Sequence, residues 1–193
     1  MAAAARGEGM SHMNKPLATE FAASSRYDPV ARILHWLMAL ALLIMLLLGG
    51  GWIAHGSGLM STIHVSVGFT LLALGVLRLG WRLYHHPPAL PSSISRTYRR
   101  LATGLQAIMY LVMIAIPVIG WFAFTEHVHR HLGVRMASFF GVAKIPLLPD
   151  FRLDFHFAHR WLGRALLAII ALHVLAALKH QFIDKNSLLQ RML

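Results

Sequence analysis

From about residue 30 onward, long apolar runs alternate with short polar and basic stretches. Four runs reach the roughly 20 residues that a helix needs to cross a bilayer: about Ile33 to Trp52, Ile63 to Leu83, Leu101 to Phe124, and Phe157 to Leu178. Lipid offers the backbone no hydrogen-bond partner, so each run must satisfy its own N–H and C=O groups, which makes it a helix. The expected fold is all-α, an integral membrane four-helix bundle filling residues 25–193. Residues 1–24 lack the apolar core of a signal peptide and read as a flexible N-terminal extension. Pro87, Pro88 and Pro91, followed by Ser92, Ser93 and Ser95, mark the middle loop. Pro117 inside the third run predicts a kink that a bundle can absorb.

Composition agrees: 57% hydrophobic residues, 13% charged residues and a mean hydropathy of +0.59 exclude an ordinary soluble domain. A formal charge of +11 would suit nucleic acid, but the basic residues flank the apolar runs, so no nucleic-acid partner is expected. Lys15, Arg26 and Arg32 precede the first run, Arg78, Arg82, Arg96, Arg99 and Arg100 follow the second, and Lys179, Lys185 and Arg191 follow the fourth. The connection Gly49 to Thr62 has none. By the positive-inside rule both termini and the middle loop face the cytoplasm, in a multi-pass membrane protein. The third loop and the start of the fourth run depart from the rule with Arg130, Arg135, Lys144, Arg152, Arg160 and Arg164, but long loops obey it poorly. The absence of cysteine excludes disulfides, thiolate-bound iron–sulfur clusters and covalently attached haem. The absence of a nucleotide-binding glycine motif argues against direct use of a nicotinamide cofactor.

Four histidines, His35, His64, His159 and His173, lie inside or at the edge of these runs. Ionisable groups in hydrocarbon are costly and suggest a functional site. His35 lies near the inner end of the first run, and His64 and His159 start the second and fourth runs at the outer side. His173 follows His159 by 14 residues on one helix. That separation is about 21 Å along the axis and within roughly 40° of the same face. The depths pair His35 with His173 and His64 with His159, as two bis-histidine haems stacked across the membrane. Ala39, Gly68, Gly163 and Ala177, each four residues after one of these histidines, share its face and leave room for a flat macrocycle; Gly75 extends the smooth stripe. Taken singly, each histidine has a plainer reading as an interhelical hydrogen bond, and each glycine as a close helix contact. The alternatives are a different pairing across the bundle, or a metal or proton pathway, and such a pathway would usually need intramembrane acids. The seven acids, Glu8, Glu20, Asp28, Glu126, Asp150, Asp154 and Asp184, are expected in termini or loops.

Iron with two histidine ligands has no open position, which favours outer-sphere electron transfer over oxygen binding. Arg32, Arg78, Arg82 and Arg160 could pair with haem propionates or simply anchor helix ends. His180, seven residues after His173, could bond a propionate or a quinone carbonyl, with Lys179 beside it. His127, His129 and His131 would share one face if extended and could bind zinc or copper, although a solvated loop is the simpler reading. Arg130, Arg135, Lys144 and Arg152 could steer an anionic donor or dock an acidic partner. His12, His55, His85, His86 and His156 read as loop or interfacial residues.

The chain resembles the bacterial cytochrome b561 family, di-haem membrane proteins akin to the cytochrome b subunits of nickel–iron hydrogenases and formate dehydrogenases. The resemblance runs from about Arg26 to Met192. It rests on Arg26-Tyr27 with Ile33-Leu34-His35-Trp36, on Ile63 to Gly68 with Arg78 and Arg82, and on Pro87-Pro88 and Pro91. Pro117 to Gly120, Leu172-His173, and Leu178 to Lys185 with Leu189, Arg191 and Met192 complete it. It implies the same four ligands in the same pairing, two haem b groups, and electron exchange with ubiquinone. In one branch it implies oxidation of superoxide at the outer face with quinone as acceptor. The expected function is transmembrane electron transfer between the quinone pool and an outer periplasmic redox partner, superoxide or a protein. The alternative is a membrane anchor and electron conduit for a partner redox enzyme; a transporter or scaffold without haem fits the histidine depths poorly.

Overall fold

The computed structural model describes residues 26–49, 58–85, 88, 96–130, 138–149, 151, 153–184 and 189–193. The expected N-terminal extension lies outside the described residues, as do His12, His55, His86, Pro87, Pro91, Ser92, Ser93, Ser95, His131, Arg135, Asp150, Arg152 and Lys185.

Each apolar run is a helix: α1 Pro29–Gly49, α2 Gly58–Tyr84, α3 Arg96–Arg130 and α4 Phe155–Phe182. All four are long and apolar enough to cross a membrane, and the fold is the all-α membrane bundle. At 35 residues α3 overruns the expected Leu101 to Phe124 at both ends. Hydropathy marks where a helix meets lipid, while the polar residues beyond, with no proline or glycine to stop them, continue the turns. Pro117 sits within this unbroken helix. Glu126 consequently lies in α3, 2% exposed, rather than in a loop as the sequence suggested.

Successive helices pack in order, α1 on α2, α2 on α3 and α3 on α4, whereas α4 has no comparable backbone packing against α1 or α2. Met38 of α1, Val67 and Leu71 of α2, Met113 and Ile116 of α3 and Leu166 of α4 form the buried core. The end carrying Arg78 and Arg82 is called inner and the opposite end outer, after the topology expected from charge.

Hydrogen bonds tie the inner end together. The Asp28 carboxylate caps α1 by accepting from Ala31 N–H at 3.0 Å, and it accepts from the Trp81 indole of α2 at 2.9 and 3.0 Å. Partial burial opposes ionisation of Asp28, but these N–H donors outweigh it and hold the carboxyl below the usual range. Arg78 donates to the Ala31 carbonyl at 2.8 Å, and Arg82 to Gln106 of α3 at 2.9 Å. A 3-10 turn, Leu189–Arg191, then crosses from α4 to α1. Tyr27 N–H donates to the Arg191 carbonyl at 3.1 Å and the Trp36 indole to the Met192 carbonyl at 2.8 Å. Arg191, 8% exposed, donates to the Pro88 carbonyl at 2.9 Å and lies over the Tyr27 ring.

At the outer end a short hairpin, β1 Ser138–Phe139 and β2 Ala143–Lys144, turns through Phe140 and Gly141 with φ of 47° and 79°. Two-residue strands carry no readable alternation, so the sequence did not predict it. Ser66 of α2 accepts from Phe140 N–H at 2.9 Å and donates to the Thr62 carbonyl at 2.7 Å. Beyond the hairpin Ile145 is buried, the Trp121 indole donates to the Pro146 carbonyl at 2.8 Å, and Leu148 N–H donates to the Thr125 hydroxyl at 3.3 Å.

Candidate functional site

The helices bring four histidines together as two pairs. The rings of His35 on α1 and His173 on α4 have centroids 6.4 Å apart at an interplanar angle of 65°. Those of His64 on α2 and His159 on α4 are 6.0 Å apart at 75°. Both pairs span the faces where α4 stands apart from α1 and α2. A direct hydrogen bond between rings would draw them closer. Two metal–nitrogen bonds of about 2 Å each plus two ring radii of about 1.2 Å place imidazole centroids about 6.3 Å apart across one ion. Both measured spacings fit a single metal atom between the rings. The surroundings fit a flat group as well, since a Cβ added at Gly68 or Gly163 would meet no atom within 4 Å. Gly75 differs: a Cβ there would touch Ile114 at 3.6 Å and Met38 at 4.0 Å. These are ordinary van der Waals distances, so Gly75 lies where α2 packs against α1 and α3.

The outer pair is oriented by α3. Nδ1 of His159 lies 3.2 Å from the Ile116 carbonyl. A carbonyl only accepts, so Nδ1 carries the proton and Nε2 has its lone pair available for a metal. The ring lies over Gly120, where an added Cβ would come within 2.8 Å of its Cε1. One helical turn from Pro117, Gly120 permits this approach because it has no side chain. Sequence reasoning quoted Gly120 without a role. Its signal, a glycine inside a membrane helix, is too common to read alone.

At the inner pair, Trp36 stands edge-on to His35 with centroids 5.3 Å apart and holds the Met192 carbonyl through its indole. Arg78 is near enough to act electrostatically on both His35 and His173. The other expected propionate partners divide. Arg82 is bonded to Gln106, Arg160 is exposed at the outer end of α4, and Arg32 keeps a buried Nε without a partner. His180 Nδ1 lies 2.7 Å from Asp184, whose carboxylate also accepts from Lys179 at 2.9 and 2.7 Å. Lys179 is thus paired rather than merely snorkelling. The Lys179 hydrogen bond, with help from His180, holds the Asp184 carboxyl below the usual range.

The alternating outer histidines do not form the expected shared face. His127 and His129 lie in α3, where a two-residue step turns the side chain by about 200°. His127 instead meets His156 of α4, with ring centroids 6.0 Å apart. No group of three or more metal-binding side chains occurs among the described residues.

Residues 26–193 match the family described as prokaryotic cytochrome b561. The chain is also 31% identical over 181 residues to cytochrome b561 homolog 2 of Escherichia coli (strain K12), covering 87% of this chain and 91% of that protein. Four membrane-crossing helices carrying histidine pairs, joined to a match over nearly the whole chain, make this protein a member of the prokaryotic cytochrome b561 family, a multi-pass bacterial membrane protein of haem b electron transfer.

Proposed function

We propose that the chain carries electrons across the bilayer through two b-type haems, one held by His35 and His173 and the other by His64 and His159. Electrons pass between an outer redox partner and the quinone pool at the inner end. The observation that supports this most directly is the ring spacing of 6.4 and 6.0 Å in two pairs, whose α4 members are 14 residues apart. When bound, the haem iron supplies one-electron chemistry without an open coordination position.

The chain's own residues do the rest. The Ile116 carbonyl fixes the His159 ring and makes it a stronger base. Arg78 adds positive charge beside the inner pair, where it can also bond a propionate, as can Arg32. Gly68 and Gly163 admit the flat ring edge. His180, whose Nδ1 lies 2.7 Å from Asp184, offers Nε2 to a quinone carbonyl at the inner boundary. At the outer end Lys144, Arg160 and Arg164 supply a positive field that draws an anion. Superoxide is such a donor: two molecules give two electrons and leave two of oxygen, while one quinone takes those electrons and two protons.

The test is pyridine-haemochromogen quantification on detergent-purified protein, followed by reduction with superoxide in the presence of added quinone. Two haems per chain are expected, with one lost in His173→Ala and one in His64→Ala. Colourless protein, or both haems kept in His173→Ala, overturns the ligand assignment. Reduction only with a soluble partner protein favours the conduit reading instead.

A further inference from the structure

We propose that the outer hairpin, Ser138 to Lys144, is a membrane-surface anchor whose tip dips a few ångström below the headgroup–acyl boundary of the outer leaflet. This inference rests on the four spans and the hairpin's contacts, and stands whether or not the haem assignment does.

Depth is the first argument. Arg82 and Gln106 are bonded and so mark one level near the inner boundary. From there a hydrocarbon core of about 30 Å, at 1.5 Å per residue, is about 20 residues thick. Counted outward, it ends near Thr62 on α2 and Glu126 on α3. Ser66, which holds the hairpin turn, lies four residues inside that limit, and Trp121, which holds Pro146, five residues inside. At 1.5 Å per residue these contacts are about 6 to 8 Å below the boundary. The segment from Ser138 to Leu148 therefore descends along α2 and α3 instead of standing out in water.

Chemistry is the second. At this depth Val142 is 87% exposed and Phe140 53%, with Phe139 beside them and Lys144 exposed on the paired strand. Apolar side chains at a turn with a lysine one step away match acyl chains below and anionic headgroups above. The hairpin's backbone sets the limit of descent, because non-helical N–H and C=O groups are not tolerated facing pure hydrocarbon. Ser66 relieves one of them by accepting from Phe140 N–H. Ser66 also lies two residues past His64, about 200° around α2, so the anchor braces the back of the helix turn that carries His64.

The chain has no cysteine, so V142C introduces a single thiol at an exposed position. A nitroxide placed there, in nanodiscs of phosphatidylcholine and phosphatidylglycerol, is compared with labels at L111C on the exposed middle of α3 and at H129C near its outer end. The expected result is stronger collision with molecular oxygen than with an aqueous nickel chelate, as at L111C. Adding Ser66→Ala should raise nickel-chelate access at V142C several-fold while the helices persist by circular dichroism. Nickel-chelate access like that at H129C in the parent protein overturns the proposal by putting the tip in water. Exclusion of both reagents overturns it too, by showing a second copy or a protein partner on the tip. Ser66→Ala with no change of access removes the brace.

Discussion

At the outer pair the ring geometry is built by direct contact: the Ile116 carbonyl holds His159 Nδ1 at 3.2 Å and Gly120 seats the ring. At the inner pair His35 and His173 have no ring hydrogen bond among the described residues, and what surrounds them is Trp36, Arg78 and a set of ties on helix ends. Asp28, Arg78, Arg82 and the Leu189–Arg191 turn join α1, α2, α3 and α4 there. The outer site is thus organised through its ligand and the inner site through its frame. The electrostatics differ in the same direction. A hydrogen-bonded, more basic His159 favours the oxidised state of a metal, whereas the Arg78 charge favours the reduced state. If both pairs hold haem, as proposed, the inner one is expected at the higher potential.

The comparison breaks most visibly under loss of a ligand. His159→Ala should remove the outer haem and leave the inner one, and His173→Ala the reverse, read as one haem per chain; loss of both in either variant would make the sites interdependent. Gly120→Ala comes next. Its Cβ would sit 2.8 Å from the His159 ring, so the outer haem should be depleted and stability should fall by about 1–3 kcal/mol, with inner haem content unchanged. Arg78→Gln should lower the inner midpoint in a redox titration and leave the outer midpoint in place; equal shifts at both would mean its charge is not local. Trp36→Phe removes the indole bond to Met192, about 1 kcal/mol, together with part of the ring beside His35, and should speed loss of the inner haem on dilution without affecting the outer.

The smallest effect is at Asp184. Its folded carboxyl titrates below the ordinary value because Lys179 and then His180 stabilise the anion. That contribution is present above the unfolded carboxylate value, about 4, and is lost as pH falls through the folded value. Wild type should therefore melt slightly above Asp184→Asn at pH 7, and the gap should narrow as pH falls below the ordinary carboxylate range. A difference that does not narrow on acidification would assign the effect to packing.

The spans were legible because lipid imposes a simple rule, about 20 apolar residues with an internally satisfied backbone, and the four runs obey it. The histidines stood out for a related reason, since few ionisable residues interrupt apolar runs. Helix ends were less legible. Once α3 leaves hydrocarbon its propensity alone decides, and that carried Glu126, His127 and His129 into the helix, with His127 and His129 off the face they would share as a strand. Gly75 and Gly120 illustrate the same limit. Both are glycines in apolar helices, yet one packs against Ile114 and Met38 and the other under His159.

The sequence by itself determined that the chain crosses the membrane four times and places histidines at two depths, because these properties follow from local composition and a fixed rise per residue. Only the tertiary structure decided which glycine meets a ring, which carbonyl orients His159, and how residues 189–192 join α4 to α1. Those contacts link residues as far apart in sequence as Tyr27 and Arg191, and depend on helix rotation and end geometry that local pattern does not encode.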